Sequence, residues 1–161
     1  MLENINGDFK KLLDEISDEK LKEVNFVPGI SPIPVSGKVI DKNDLAYLVD
    51  SSLDAWFTSG RYTDEFEKSI SKFLGTRHCL FVNSGSSANL LAVTALKEFY
   101  NLEDGDEIIT SAVGFPTTVN PIIQNNLVPV LIDAEMDTYN IDASLIEESI
   151  NDRTKGIVIA H

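Results

Sequence analysis

Five small polar residues, Asn83-Ser84-Gly85-Ser86-Ser87, interrupt an apolar stretch that runs from Cys79 to Leu96. Before them, Cys79-Leu80-Phe81-Val82 is a short run of strand formers and reads as a buried parallel strand. After them, residues 88–96 are rich in Ala and Leu and read as a helix. A turn between strand and helix holds the unpaired N–H groups of the first helical turn, at the positive end of the helix dipole. That arrangement binds anions, phosphate in particular. Gly85 would let a ligand approach the backbone closely, and Ser84, Ser86 and Ser87 add hydroxyl donors. Two readings of the turn stand side by side. It is either a phosphate cup or an ordinary turn in which Ser86 or Ser87 caps the helix. Two common phosphate motifs are excluded, because no Lys-Ser or Lys-Thr follows the glycine and no G-x-G-x-x-G is present.

The rest of the composition narrows the chemistry. A net charge of -13 over 161 residues argues against nucleic acid or an anionic membrane surface as a partner. The hydrophobic share of 43% fits a globular protein, and no stretch approaches membrane-spanning length. The N-terminus has no cationic start followed by a long apolar run, so the expected compartment is the cytoplasm. Cys79 is the single cysteine, which excludes an internal disulfide framework and supplies no metal cluster by itself. Its apolar neighbours make it a buried structural thiol.

The elements that position the turn follow from periodicity and punctuation. Phe9, Leu12, Leu13 and Ile16 recur at helical spacing and predict an amphipathic helix near residues 8–24. Residues 26–38 are Pro/Gly-rich and extended, an arm expected to lie across a surface such as that of a second subunit. Residues 41–56 carry Leu45, Leu48, Val49 and Leu53 in helical register, and Asp64-Glu65 opens a further helix that stops at Gly75. Beyond the acidic turn at 103–106, strand and helix alternate. Strands are expected at 107–111, 128–133 and 156–160, with helices entered at Phe115-Pro116 and at Asp142. Such alternation implies an α/β fold, a parallel sheet with helices on both faces and right-handed crossovers. Residues 1–76 form an N-terminal segment of helices and arm, and residues 77–161 the first part of an α/β domain. An apolar strand at 156–160 without a covering helix behind it suggests the N-terminal part of a longer enzyme.

Three features together resemble the sugar aminotransferase family of fold-type I pyridoxal-phosphate enzymes. They are Trp56-Phe57-Thr58-Ser59-Gly60 leading into Phe66-Glu67, the turn Ser84-Gly85-Ser86-Ser87-Ala88, and Val130-Leu131-Ile132-Asp133 with Thr138-Tyr139-Asn140-Ile141 and Thr154-Lys155-Gly156-Ile157 behind it. The resemblance spans about residues 26–161. Within the family, the arm Pro28-Gly29-Ile30-Ser31-Pro32-Ile33-Pro34 and the run Gly114-Phe115-Pro116-Thr117-Thr118-Val119-Asn120-Pro121 look like the CDP-4-keto-6-deoxyglucose 3-dehydrase branch, which serves lipopolysaccharide O-antigen synthesis.

The resemblance implies a three-layer, aspartate-aminotransferase-like (fold-type I) large domain, incomplete in this chain, with N-terminal helices and an extended arm. It implies pyridoxamine 5'-phosphate or pyridoxal 5'-phosphate as cofactor, with Gly85 and Ser86, and Ser87 beside them, on its phosphate. Phe115 would lie over the ring, and Arg61 is the candidate for the phosphates of a nucleotide-linked keto-deoxysugar. The branch also implies a homodimer, a reductase partner and a 2Fe-2S cluster. The residues that move the proton, pair with the pyridine nitrogen and hold the cluster are expected beyond His161, so no catalytic residue or metal ligand is assigned within the chain. His161 itself reads as a strand-end residue near the site mouth, and Asp133 and Glu135 as turn residues. The alternatives are a nucleotide-sugar aminotransferase and a non-catalytic binding module of the same fold.

Overall fold

A computed structural model describes residues 4–21, 25–37 and 39–160. His161 and the end of the expected first helix, residues 22–24, lie outside the described residues, as does Lys38 of the arm. The chain divides into two compact units, Met1–Cys79 and Leu80–His161.

The first unit is helical. Helix α1 (Gly7–Lys20) starts at Asn6, whose side chain accepts from the Phe9 amide. Helix α2 (Lys42–Leu53) opens on a reciprocal cap: Asp41 accepts from the Asn43 and Asp44 amides, and the Asp44 carboxylate accepts from the Asp41 amide. Helix α3 (Arg61–Leu74) begins three residues before the expected start at Asp64 and ends where Gly75 adopts the left-handed conformation, φ 69°. Its early start has a physical cause. Gly60 supplies an extended N-cap, and Arg61 in the first turn pairs with Asp50 of α2 and with Asp54 just after it.

The amides donated to Asp41 hold its carboxyl below the usual carboxylate range, Asp44 contributing most and Asn43 next. A depressed folded-state pKa contributes stability above the unfolded value and loses it as pH falls through the folded one. Asp41→Asn retains an N-cap acceptor without a titrating group. The acid limb of a far-UV circular dichroism titration is therefore expected to be shallower in Asp41→Asn than in the parent, with equal helicity at neutral pH. Superimposable acid limbs would show that the cap carries no part of the acid sensitivity.

The second unit is built on a parallel sheet of order β2-β1-β3, with β1 at Glu107–Ser111, β2 at Val128–Ile132 and β3 at Thr154–Ile157. Helix α4 (Gly85–Tyr100) precedes β1, and α5 (Pro116–Gln124) joins β1 to β2. Val93 of α4 and Ile122 of α5 pack with Ile108 and Leu127, and Leu102 and Val158 close the cluster. Both helices therefore cover the sheet face to which Ile108 points. Burial of a side chain such as Ile122 removes enough apolar area from water to contribute about 2 kcal/mol. The chain moves one way from β1 to β2 and the other way from β2 to β3. Right-handed crossovers then put the 133–153 connection on the opposite face from α5, and Ile109 is fully buried.

Several expectations are corrected here. Residues 79–82 join no sheet among the described residues, Leu80 and Phe81 are exposed, and Cys79 is half-buried rather than buried. A strand exists only through its ladder, and β-propensity alone does not supply one. Asp142 accepts from the Ser144 amide as a cap should, yet it opens two 3-10 turns (Ala143–Leu145 and Glu147–Ser149) rather than an α-helix. The last strand ends at Ile157, earlier than the apolar run suggested, although the Val158 amide still donates to the Ile109 carbonyl at 2.9 Å.

Candidate anion-binding site at the carboxyl edge of the sheet

The first turn of α4 resolves the two readings of the serine-rich stretch in an unexpected way. The cap is Ser84: its Oγ accepts from the Ser87 amide at 3.1 Å and lies 3.1 Å from the Ser87 Oγ. Neither Ser86 nor Ser87 is the capping residue. The Ser84 carbonyl takes the Ala88 amide at 3.0 Å, so the helix is closed behind the turn. Among the described residues, the Gly85 and Ser86 amides have no protein acceptor. A Cβ built on Gly85 would meet nothing within 4 Å, so the space beside the first residue of the turn is open.

Helix α5 presents its start to the same edge. Phe115 is its extended N-cap, Pro116 occupies the first helical position, and the Phe115 ring is 72% exposed. Asn89 Nδ2 donates to the Thr117 carbonyl at 3.3 Å, near the start of both helices. Lys97 Nζ donates to the Asn125 carbonyl at 2.6 Å, near the end of both. These two links require α4 and α5 to run side by side in the same direction, with both N-termini at the carboxyl edge of the parallel strands. Lys97 also pairs with Asp104 at 2.6 Å, and this contact holds the Asp104 carboxyl below its ordinary range.

Charge placement sharpens the picture. Helices α1, α2 and α3 each carry an Asp in the first turn, namely Asp8, Asp44 and Asp64. Helices α4 and α5 carry no acidic residue there, in a chain with 26 acidic and 13 basic side chains. Two parallel dipoles thus bring uncompensated positive ends to one edge. Net charge alone would hide this feature.

A cavity of about 340 Å³ opens beside the start of α5, lined by Ser111, Gly114, Thr118, Tyr139, Asn140 and Ala160 among others. It lies where β1 and β3 end, the point at which the sheet order reverses and where open α/β sheets bind ligands. Its outer wall is the loop 135–140, closed by the Glu135 amide on the Asn140 carbonyl and the Tyr139 amide on the Glu135 carbonyl, both 2.9 Å. Tyr139 sits there at φ 57°, a region that bulky residues rarely adopt.

Arg61 belongs to the other unit and is already engaged. Its guanidinium pairs with Asp50 and, through Nε at 2.9 Å, with Asp54, and it lies 4.3 Å over the Tyr62 ring. Asp54 first of all, and then Asp50, push its pKa further upward. Sequence reasoning passed over Asn89 and Lys97, whose partners lie 28 residues away. It also passed over Ser84 as the cap, although a serine directly before the helix is itself a favoured N-cap.

Known proteins share this architecture. Residues 38–161 match the model of the DegT/DnrJ/EryC1/StrS aminotransferase family. The chain is 49% identical to the lipopolysaccharide biosynthesis protein RfbH of Salmonella typhimurium, over 98% of this chain and 37% of that protein. It is 45% identical to the dTDP-4-dehydro-2,6-dideoxy-D-glucose 3-dehydratase of Saccharopolyspora spinosa, over 84% of this chain and 30% of the relative. Among solved structures, the GDP-4-keto-6-deoxy-D-mannose-3-dehydratase of Escherichia coli with bound hydrated PLP superposes with a TM-score of 0.66 at 37% identity, covering 77% of this chain and 32% of that one. The chain therefore spans about a third of the length of the relatives it matches. Its fold class is that of the fold-type I pyridoxal-phosphate enzymes, of which it contains part of the α/β domain. The chain belongs to the DegT/DnrJ/EryC1/StrS aminotransferase family.

Proposed function

We propose that the protein containing this chain is a pyridoxamine- or pyridoxal-phosphate-dependent dehydratase that removes the C3 hydroxyl of a nucleotide-linked 4-keto-6-deoxyhexose, as in 3,6-dideoxyhexose synthesis for O-antigen. The observation that carries this reading is the pair of uncompensated helix N-termini with open Gly85 and Ser86 amides, in a chain 49% and 45% identical to RfbH and to a sugar 3-dehydratase.

The residues present fit the cofactor. The Gly85 and Ser86 amides and the Ser86 hydroxyl would bind its phosphate, where the dipole and the open space above Gly85 favour an anion. The Ser87 amide is committed to the Ser84 cap, so Ser87 acts there by holding the turn and by its hydroxyl. The exposed Phe115 ring would stack on the flat heterocycle and orient it. When bound, the cofactor supplies an amine for a sugar ketone and a ring that draws off electron density as a proton leaves carbon. Thr118, shared by α5 and the cavity wall, and Asn140 offer polar groups to a sugar bound beside the ring.

We place proton transfer on residues outside this chain. The chain's own residues do not fit a 2Fe-2S cluster: Cys79 is one thiol, and no group of three potential ligands occurs among the described residues. A cluster and a reductase partner belong to this reading only as contributions of other segments. The reading includes a cytoplasmic homodimer, supported by the exposed apolar side chains of the arm at Ile30, Ile33 and Val35.

The test is direct. The full-length protein, incubated with pyridoxamine phosphate and passed through gel filtration, is expected to retain the chromophore, and with a nucleotide-linked 4-keto-6-deoxyhexose to form a product that lacks the C3 oxygen. Replacement of the sugar carbonyl oxygen by an amine, with glutamate as donor, would establish an aminotransferase instead. A colourless eluate would reduce the protein to a binding module of this fold.

A further inference from the structure

The links between α4 and α5 have an unusual regularity. Asn89 to Thr117 and Lys97 to Asn125 each span 28 residues, so the axial offset between the helices is the same at both rungs. On each helix the rungs lie eight residues apart, which is about 12 Å along the axis. Asn89 stands one turn beyond Gly85, and Thr117 two residues beyond Phe115. The second rung is anchored further. Lys97 pairs with Asp104 in the turn after α4, and Asp104 in turn accepts from Asn126 Nδ2 at 3.1 Å, just after α5.

These links answer a geometric need that apolar packing does not meet. Contacts such as Val93 with Ile122 are non-directional and tolerate axial sliding, whereas hydrogen bonds to carbonyls fix a register. Each helix is joined to β1 by its own connection, so the sheet does not by itself dictate their mutual offset. A ligand with a phosphate at one end and a flat ring at the other needs that offset. A slip of one residue moves one anchor by about 1.5 Å relative to the other.

We propose that Asn89 and Lys97 are positioning residues that lock α4 against α5, and so set the spacing between the phosphate turn at Gly85-Ser86 and the ring face of Phe115. The inference rests on the cofactor reading above and adds to it a pair of residues that act through the register of the two helices. Lys97 lies about 18 Å along α4 from Gly85, too far for any direct role.

The experiment uses the full-length protein and two probes, inorganic phosphate and pyridoxamine phosphate. Asn89→Leu removes the donor at similar volume. It is expected to bind inorganic phosphate within about twofold of the parent, to bind pyridoxamine phosphate roughly tenfold more weakly, and to lose most of the induced circular dichroism of the bound ring. Lys97→Met is expected to weaken pyridoxamine phosphate about threefold with phosphate unchanged, and Lys97→Arg, which keeps a charged donor, to restore it. Should Asn89→Leu not fold, the Lys97 pair carries the test alone. Equal loss of both probes would overturn the proposal by showing damage to the phosphate turn itself, and so would an unchanged affinity and dichroism in the variants. Failure of the unsubstituted protein to bind pyridoxamine phosphate overturns the cofactor reading and this inference with it, and is recognised because it appears without any substitution.

Discussion

Gly85→Asp is expected to abolish cofactor retention in the full-length protein while making the cofactor-free protein slightly more stable. Gly85 is the first residue of α4, at a φ that any residue can adopt, with nothing within 4 Å of a Cβ placed there. An aspartate therefore fits without a clash. Its carboxylate would reach the free amides of its own turn and satisfy the helix dipole, worth about 0.3–1 kcal/mol. Loss of glycine's unfolded-state freedom adds about 0.4–1 kcal/mol in the same direction. The same carboxylate repels a phosphate and occupies its donors. Losing two charge-assisted hydrogen bonds of about 1.5–3 kcal/mol each corresponds to a loss of affinity of roughly 100-fold or more. Retained absorbance after gel filtration and the thermal midpoint of the apoprotein read the two effects separately. A variant that keeps its chromophore would show that the phosphate sits elsewhere.

Asp50→Ala is the largest expected loss of stability. Asp50 is fully buried on α2 and accepts from the Arg61 guanidinium, from Tyr62 Oη at 2.6 Å and from the Asn4 amide at 2.6 Å. Burial first, and then the Asp50 hydrogen bond, push the Tyr62 phenol up to about 12. Removing the carboxylate takes away the acceptor 2.6 Å from the Tyr62 hydroxyl and one of the two carboxylates that hold the Arg61 guanidinium, whose side chain is only 28% exposed. Breaking such a buried pair costs about 3–5 kcal/mol, and the partial access of Arg61 to water places this case at the lower end. The denaturant midpoint should fall with an unchanged m-value. A midpoint within error of the parent would contradict the clamp. Arg61→Gln then separates the two roles open to Arg61. A clamp residue lowers stability and leaves the KM for nucleotide sugar alone, whereas a phosphate contact raises KM at constant stability. We expect the former, because two carboxylates and an aromatic face already compensate the charge.

The tyrosine-walled cavity and the arm show how far local signals reach. Strands β1 and β2, the entry of α5 at Pro116, the stop of α3 at Gly75 and the Asp142 cap are all local features, set by side-chain period or by one residue's conformational preference. Each was legible in the sequence for that reason. Residues 79–82 were misread because strand propensity does not say whether a neighbour is present to complete the ladder. The helix expected from Asp142 was misread because an N-cap and two apolar residues start a turn but do not propagate one.

By itself, then, the amino-acid order determined that a small polar turn at 83–87 would open a helix at the edge of a parallel sheet, since turn composition and apolar period are properties of neighbouring residues. Only the tertiary structure decided that Ser84 caps that helix, and that α5 brings a second acid-free N-terminus to the same edge. It also decided that Asn89 and Lys97 tie the two together, and that Arg61 is held by Asp50 and Asp54. Those outcomes depend on groups that are far apart along the chain and meet only after the backbone has been placed, so no local pattern encodes them.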